Sequence, residues 1–160
     1  MSESRRSAYS DALSLLARRE LSVAQLRDRL HDRQHDPDDI EDAATRLVAS
    51  GALNDARVAA AYVRGALSVK GRGRLRIQRE LQAMGIGRDV AAEALAEAFG
   101  DVDERSLIKK ALDKKLRGGK KIESRQEYAR LFQFLVRQGF TPASVIAVLR
   151  ASRKGSDPLE

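Results

Sequence analysis

The chain has 160 residues, of which 42% are hydrophobic and 33% are charged, and it contains no cysteine. This hydrophobic content suffices for one sizeable core or a few small stacked units, and the lack of cysteine excludes disulfides and thiolate metal sites. The net charge is +7, which favours an anionic partner, and no apolar run approaches the ~20 residues that cross a bilayer.

The charge is distributed unevenly along the chain. Residues 1–53 carry 8 basic and 10 acidic side chains (−2), residues 54–100 carry 8 and 5 (+3), and residues 101–160 carry 14 and 8 (+6). This asymmetry predicts that the middle and C-terminal parts contact an anionic partner. The N-terminal residues lack the apolar segment of a secretion signal, so we expect a cytoplasmic protein.

Apolar residues recur at i, i+3, i+4, i+7 and i+8 through most of the chain, which is the spacing of one helix face. No proline interrupts these stripes and no β-branched runs occur, so the pattern predicts an all-α protein. In chain order, the clearest stripes run over residues 9–17, 40–48, 59–67, 91–99 and 128–136.

Residues typical of helix ends bound these stripes. Ser22 with Gln25, and Ser124 with Glu127, have the spacing of capping boxes. The predicted N-terminal caps are, in chain order, Ser22, Asp36 before Pro37, Asn54 or Asp55, Ser124, and Thr141 before Pro142. We expect left-handed glycines to close helices at Gly51, Gly85, Gly100, Gly118 and Gly139.

The helix signals repeat in register when Leu30, Leu81 and Leu135 are aligned, with periods of 51 and then 54 residues. Six residues further on, each copy has a cap candidate, and ten residues further on, each has an apolar residue. The repetition predicts three tandem three-helix repeats, about nine helices, stacked as a short curved solenoid. The predicted divisions are repeats at 7–53, 54–100 and 101–152, and a disordered tail at 153–160.

Two stretches present rows of cations at helical spacing and contain no acid within the row. Arg72, Arg76 and Arg79 form the first row, and Lys110, Lys114 and Arg117 form the second, each predicted to lie opposite an apolar stripe. A solvated surface is the alternative, but matching rows favour contact with phosphates or carboxylates. The candidate partner-binding or nucleic-acid-binding residues are Lys70, Arg72, Arg74, Arg76, Arg79, Lys110, Lys114, Arg117, Lys120 and Lys121.

Neither basic stretch contains an aromatic residue, which argues against a stacking platform for single-stranded nucleic acid. Phe134 lies off the apolar stripe of its helix. Its ring could stack on a base, although packing between repeats is the favoured interpretation.

Other motifs give little support for catalysis or for a metal site. His31 and His35 are four residues apart and precede the acidic run 36–42. A metal-dependent nuclease is therefore one hypothesis that these residues raise. Histidines at a helix end and acids in a first turn are, however, the ordinary pattern there. The glycines at 71–73 and 118–119 lack the context of nucleotide-binding loops. We expect no enzyme activity, no cofactor and no metal.

The motifs together resemble a known family. In the first repeat they are residues 12–19 (ALSLLARR) and 22–30 (SVAQLRDRL); later come 53–55, 62–63, 85–86, 139–140 and 148–149. This combination resembles the RecX family of bacterial recombinase regulators over about residues 8–150. Gln25 stands where glutamate is more usual in the family, and Val58 stands where an aromatic residue is common.

The resemblance implies a modulator that binds the RecA filament on DNA, in the filament's helical groove. Such a protein suppresses ATP hydrolysis and strand exchange and limits filament growth, in recombination, DNA repair and the SOS response. We expect a monomer that contacts DNA weakly or as part of the filament, with no membrane or small-molecule partner. The alternative is a sequence-nonspecific DNA-binding helical protein that acts on DNA directly.

Overall fold

The computed structural model describes residues 5–154, which form nine α-helices and no strand. The all-α prediction is therefore confirmed. The helices are α1 (Ala8–Arg18), α2 (Val23–Asp32), α3 (Pro37–Ala49), α4 (Asp55–Ser68), α5 (Arg74–Ala83), α6 (Arg88–Phe99), α7 (Glu104–Leu116), α8 (Arg125–Arg137) and α9 (Pro142–Lys154).

These helices belong to two compact units. The first unit comprises Met1–Tyr62 and Glu80–Ala94, and the second comprises Val63–Arg79 and Leu95–Glu160. Helices α4, α5 and α6 each contribute residues to both units. The repeat limits 7–53, 54–100 and 101–152 stay a prediction.

In the first unit, α1, α2 and α3 pack around a leucine-rich core. Leu26, Leu30 and Leu47 are fully buried, and burying such a side chain stabilises the fold by about 1.5–3 kcal/mol. The predicted capping box at Ser22 and Gln25 and the predicted cap at Asp36 are both present, and they fix the starts of α2 and α3. The core residues are Ala12, Leu15, Leu21, Leu26, Leu30, Ile40, Ala44, Leu47 and Leu53.

In the second unit, α7, α8 and α9 enclose a separate core. Leu135, Val145 and Leu149 are fully buried there. The carboxylate of Glu104, in the first turn of α7, accepts hydrogen bonds from the amide and the hydroxyl of Thr141, both at 2.8 Å. The core residues are Ile108, Leu112, Leu131, Leu135, Phe140, Val145, Val148 and Leu149.

The apolar stripe predicted for α1 is right in part: Ala12 is buried and Tyr9 and Leu16 pack against the core, but the most buried face is rotated by one position. The buried face consists of Ala8, Asp11, Ala12 and Leu15, whereas Leu13, predicted to be apolar core, is 43% exposed. Residues 12–17 offer two overlapping apolar faces, so the spacing alone does not identify the one that packs.

Three predicted helix ends differ in detail, and the alternative left open at the start of α4 is resolved. Ser124 caps α8, but the Glu127 carboxylate accepts from the Glu123 amide instead of completing the box. Thr141 donates its hydroxyl proton to Glu104. Asn54 caps α4, because its side chain accepts from the Arg57 amide, and the Asp55 side chain instead accepts from the Val23 amide. Gly100 is not left-handed, unlike the other four glycines predicted to close helices.

Two further expectations concern the chain ends and the membrane. The predicted tail begins at Arg153, but α9 continues to Lys154; residues 155–160 lie outside the described residues. Within residues 5–154, no helix is long and apolar enough to span a bilayer.

Candidate partner-binding surface

The two compact units differ sharply in charge. By sequence, the first unit carries 10 basic and 14 acidic side chains, a net charge of −4, and the second carries 20 and 9, a net charge of +11. All ten predicted contact residues belong to the second unit. A surface of this charge attracts anionic partners and repels cationic ones.

The first cationic row lies where the chain passes from α4 into α5. Lys70, Arg74 and Arg79 are exposed, whereas Arg72 and Arg76 are half-buried. The backbone here is tied to the turn after α8: the Gly73 amide donates to the Gln138 carbonyl oxygen at 2.7 Å, and the Leu75 amide donates to the Gly139 carbonyl oxygen at 3.1 Å. The row is therefore held in place by main-chain hydrogen bonds.

This main-chain contact requires glycine at both position 73 and position 139. A Cβ atom on Gly73 would lie 2.5 Å from the Gly139 carbonyl carbon, and one on Gly139 would lie 2.5 Å from the Arg76 Cβ. Gly139 also has φ of 104°, a conformation that L side chains rarely adopt. We call this contact of Gly73 and Leu75 with Gln138 and Gly139 the α5–α8 joint.

Arg76 is part of the α5–α8 joint. Its guanidinium donates to the side-chain oxygen of Gln138 at 2.8 Å. Burial lowers the pKa of Arg76 below its usual value, and the neighbouring charges of Arg72 and Arg79 lower it further. The prediction that the whole row faces an anionic partner has to be corrected for Arg76, because its half-buried side chain bonds α5 to the turn after α8.

The second row follows α7 and the chain beyond it. Lys110 and Lys114 lie on the exposed side of α7, opposite the buried Ile108 and Leu112. Arg117 ends the helix with φ of 27° and is exposed. Lys120 and Lys121 are exposed in the stretch before α8. These five side chains are therefore all exposed to solvent.

The basic surface is broader than the two rows. Sequence reasoning missed the bases on α8 and α9, because they are spread singly among other residues instead of forming rows. The signal that pointed to them was the net charge of +6 over residues 101–160. The further exposed cations of the second unit are Arg64, Arg105, Lys109, Lys115, Arg125, Arg130, Arg137, Arg150 and Arg153.

The ring of Phe134 packs against the core of the second unit. The ammonium group of Lys115 lies 4.6 Å from the centre of that ring. This cation–π contact covers one face of the ring. A base that stacked on Phe134 would have to displace Lys115 or the core contact.

Two residues of the metal hypothesis, His35 and Asp36, have structural roles. His35 and Asp11 form a pair with 2.7 Å between Nε2 and Oδ2, and Asp36 caps α3. His31 is exposed. Across the part of the chain that the structure describes, no three histidine or carboxylate side chains are placed to hold a metal ion.

Comparison with known proteins decides the family. The models of the first, second and third three-helix domains of RecX match residues 8–47, 54–95 and 103–149. The chain belongs to the RecX family. The three matches cover α1–α3, α4–α6 and α7–α9 in order, except for the last residues of the third helix in each, which confirms the prediction of three three-helix repeats.

Individual RecX proteins are similar to this chain in sequence, and a solved RecX structure is similar to it in fold. The regulatory protein RecX of Halorhodospira halophila is 34% identical over 141 residues, covering 88% of this chain and 85% of that protein. The RecX protein of Chromohalobacter salexigens is 43% identical over 95 residues, covering 59% of this chain and 62% of that protein. The crystal structure of RecX from Lactobacillus salivarius has the same fold, with a TM-score of 0.69, 20% identity, and coverage of 92% of this chain and 95% of that one.

A contact equivalent to the α5–α8 joint lies between the first and second RecX domains. In the first unit, the Ser22 hydroxyl donates to the Met84 carbonyl oxygen at 2.5 Å, and a Cβ on Gly85 would clash with the Cβ of Ala24. Met84 and Gln138 are 54 residues apart, the second period of the repeat. In both units, therefore, the middle helix of one domain begins against the turn between the second and third helices of the next.

Proposed function

We propose that this RecX protein binds the RecA nucleoprotein filament and inhibits the recombinase, namely its ATP hydrolysis, strand exchange and filament growth. The binding surface is the basic side of the second unit, and the protein acts in the cytoplasm as a monomer with no catalysis of its own. The observation that carries the proposal is the +11 charge of this unit beside the −4 of the other.

Three features support this assignment. The family is one of regulatory proteins, as the names of its relatives state. The basic side chains are mostly exposed, and main-chain hydrogen bonds of the α5–α8 joint hold the first row in place. An array of cations on a rigid helical frame suits a repeating anionic partner, because contacts on successive subunits add through effective concentration.

The test compares three triple variants in DNA-dependent RecA ATPase assays. The first carries Lys70→Gln, Arg74→Gln and Arg79→Gln, and the second carries Lys110→Gln, Lys114→Gln and Lys120→Gln. All six residues are exposed and none belongs to a side-chain contact of the α5–α8 joint. The matched control neutralises three exposed arginines of the first unit, Arg18, Arg29 and Arg88.

We expect each variant of the second unit to require at least about tenfold more protein for half-inhibition, equivalent to ~1.4 kcal/mol. The control should stay within about twofold, and all melting temperatures should match the parent, because exposed substitutions rarely change stability by more than ~0.5 kcal/mol. If both variants of the second unit inhibit as strongly as the parent, the partner binds elsewhere on the protein. Tight binding to naked DNA without any effect on RecA would favour direct action on DNA instead.

A further inference from the structure

Two exposed apolar side chains flank the loop between α4 and α5. Within the described residues, four large hydrophobic side chains are exposed. Val69 is the most exposed of them, at 79%, and Leu75, six residues later, is 41% exposed. Single exposed hydrophobic residues are ordinary on a protein surface. Two of four within one seven-residue segment, Val69–Leu75, call for an explanation.

The fold does not explain why valine stands at position 69. Its amide donates to the Gly65 carbonyl oxygen at 3.0 Å, and the Lys70 amide donates to the same oxygen at 3.3 Å, which closes α4. Those bonds use the main chain and would form with many residues. The Val69 side chain itself faces water, where an apolar β-branched group gains nothing in stability.

The segment is held in a fixed conformation. The Arg72 amide donates to the Ala66 carbonyl oxygen at 3.0 Å, and the α5–α8 joint holds Gly73 and Leu75. Most amides of the segment are therefore bonded within the second unit. A rigid loop loses little conformational freedom on binding, so its contacts contribute more to affinity.

Cations alternate with the apolar side chains in this segment. Lys70 and Arg74 are exposed beside Val69 and Leu75, and no acidic residue occurs from position 69 to 79. Cations that border exposed apolar side chains suit a protein–protein interface, where arginine is enriched and the buried centre is apolar. A phosphate backbone provides no apolar pocket, and aliphatic side chains lack the ring face that stacks on bases.

We propose that the segment Val69–Leu75 docks on a protein surface, with Val69 in an apolar pocket that carboxylates border. This inference rests on the proposed binding to the RecA filament. It assigns the segment's contact to the protein subunits of that filament and not to the DNA they enclose.

The chain offers a matched pair of valines for the test. Val69→Ser removes the proposed anchor, and Val48→Ser alters an exposed valine of α3, 51% exposed, in the first unit. Each protein is labelled fluorescently, and its binding to RecA filaments on single-stranded DNA is compared with its binding to the same DNA alone. Leu75→Ser is measured as a second, independent variant of the segment.

We expect Val69→Ser and Leu75→Ser to weaken filament binding at least about fivefold, the effect of losing a buried anchor, and to leave binding to DNA alone unchanged. Val48→Ser should change neither. Unchanged filament binding by both segment variants, or an equal loss on filament and on DNA, would overturn the docking proposal while the parent still binds. A parent protein that does not bind the filament would instead defeat the proposed function, and the docking site with it.

Discussion

At the scale of single residues, the buried polar cluster of the first unit links α1 to the turn after α2. Asp11 is 8% exposed, and its carboxylate meets both His35 Nε2, at 2.7 Å, and Arg33 Nη1, at 3.3 Å. The hydrogen bond with His35 holds the pKa of Asp11 below its usual value, although burial opposes this effect and Arg33 adds to it. The ionised carboxylate thus stabilises the first unit.

This cluster predicts a pH-dependent effect of Asp11→Asn. A carboxyl with a lowered pKa adds stability above its unfolded pKa of about 3.9, and loses it as the pH falls through the lower folded value. We expect Asp11→Asn to reduce the free energy of unfolding by ~1–3 kcal/mol at pH 7, and the difference from the parent to shrink below about pH 4.

Urea unfolding of both proteins between pH 3 and pH 7 measures this difference. The exposed Asp28 provides the control, since Asp28→Asn should alter stability by less than ~0.5 kcal/mol throughout. A gap between Asp11→Asn and its parent that stays constant down to pH 3 would show that the ionised carboxylate is not the stabilising species.

At the scale of elements, the joints between consecutive domains depend on close backbone approach. In the α5–α8 joint, the Gly73 amide lies 2.7 Å from the Gln138 carbonyl oxygen, and no side chain fits between them. Because the first cationic row starts here, the same contact that packs the helices also sets the position of the basic surface.

Replacing Gly73 by alanine tests this dependence. The added methyl would lie 2.5 Å from the main chain of Gly139, so the joint must open, and we expect a loss of ~1–3 kcal/mol of unfolding free energy. Gly65→Ala is the matched control: Gly65 lies within α4, and a Cβ there meets nothing within 4 Å.

Alanine is the better helix former, so the control should be neutral or stabilising by up to ~1 kcal/mol. Thermal unfolding measures the loss of stability. The half-inhibitory concentration for RecA ATPase, measured on the same samples, shows whether the basic surface has also been displaced. A Gly73→Ala protein as stable as its parent would mean that the joint adapts without loss.

At the scale of the whole molecule, the difference in net charge is larger between the two compact units, −4 and +11, than between the three parts of the sequence, −2, +3 and +6. The middle third has a net charge of +3, but the fold assigns its basic stretch, residues 63–79, to the second unit and its more acidic residues 80–94 to the first. Long-range attraction to an anionic partner therefore depends on the second unit.

A salt titration tests this electrostatic contribution. Raising the salt concentration from about 50 to 300 mM shortens the range over which charges interact, so the half-inhibitory concentration for RecA should rise at least about tenfold. The variant with Lys70, Arg74 and Arg79 changed to glutamine should show a flatter dependence, since it has fewer charges to screen. Identical slopes for this variant and the parent would mean that these three cations do not contribute to the attraction.

The helical class, the order of the three domains and the positive charge of the C-terminal part were predictable from the amino-acid sequence. Each of these follows from local information: the spacing of apolar residues, the capping residues and the count of charges. The repeated register of Leu30, Leu81 and Leu135, all fully buried, is the clearest case, because one position serves the same core contact in each domain.

Which cations are exposed and which hold elements together depends instead on how distant segments pack. Arg76 and Arg79 belong to one row in the sequence, yet Arg76 bonds to Gln138, 62 residues away, while Arg79 is exposed. The exposure of Leu13 and the pairing of Asp11 with His35 likewise depend on which other segments pack against α1. The physical reason is that helical spacing defines the faces of a helix, whereas burial is set by the distant residues that meet each face.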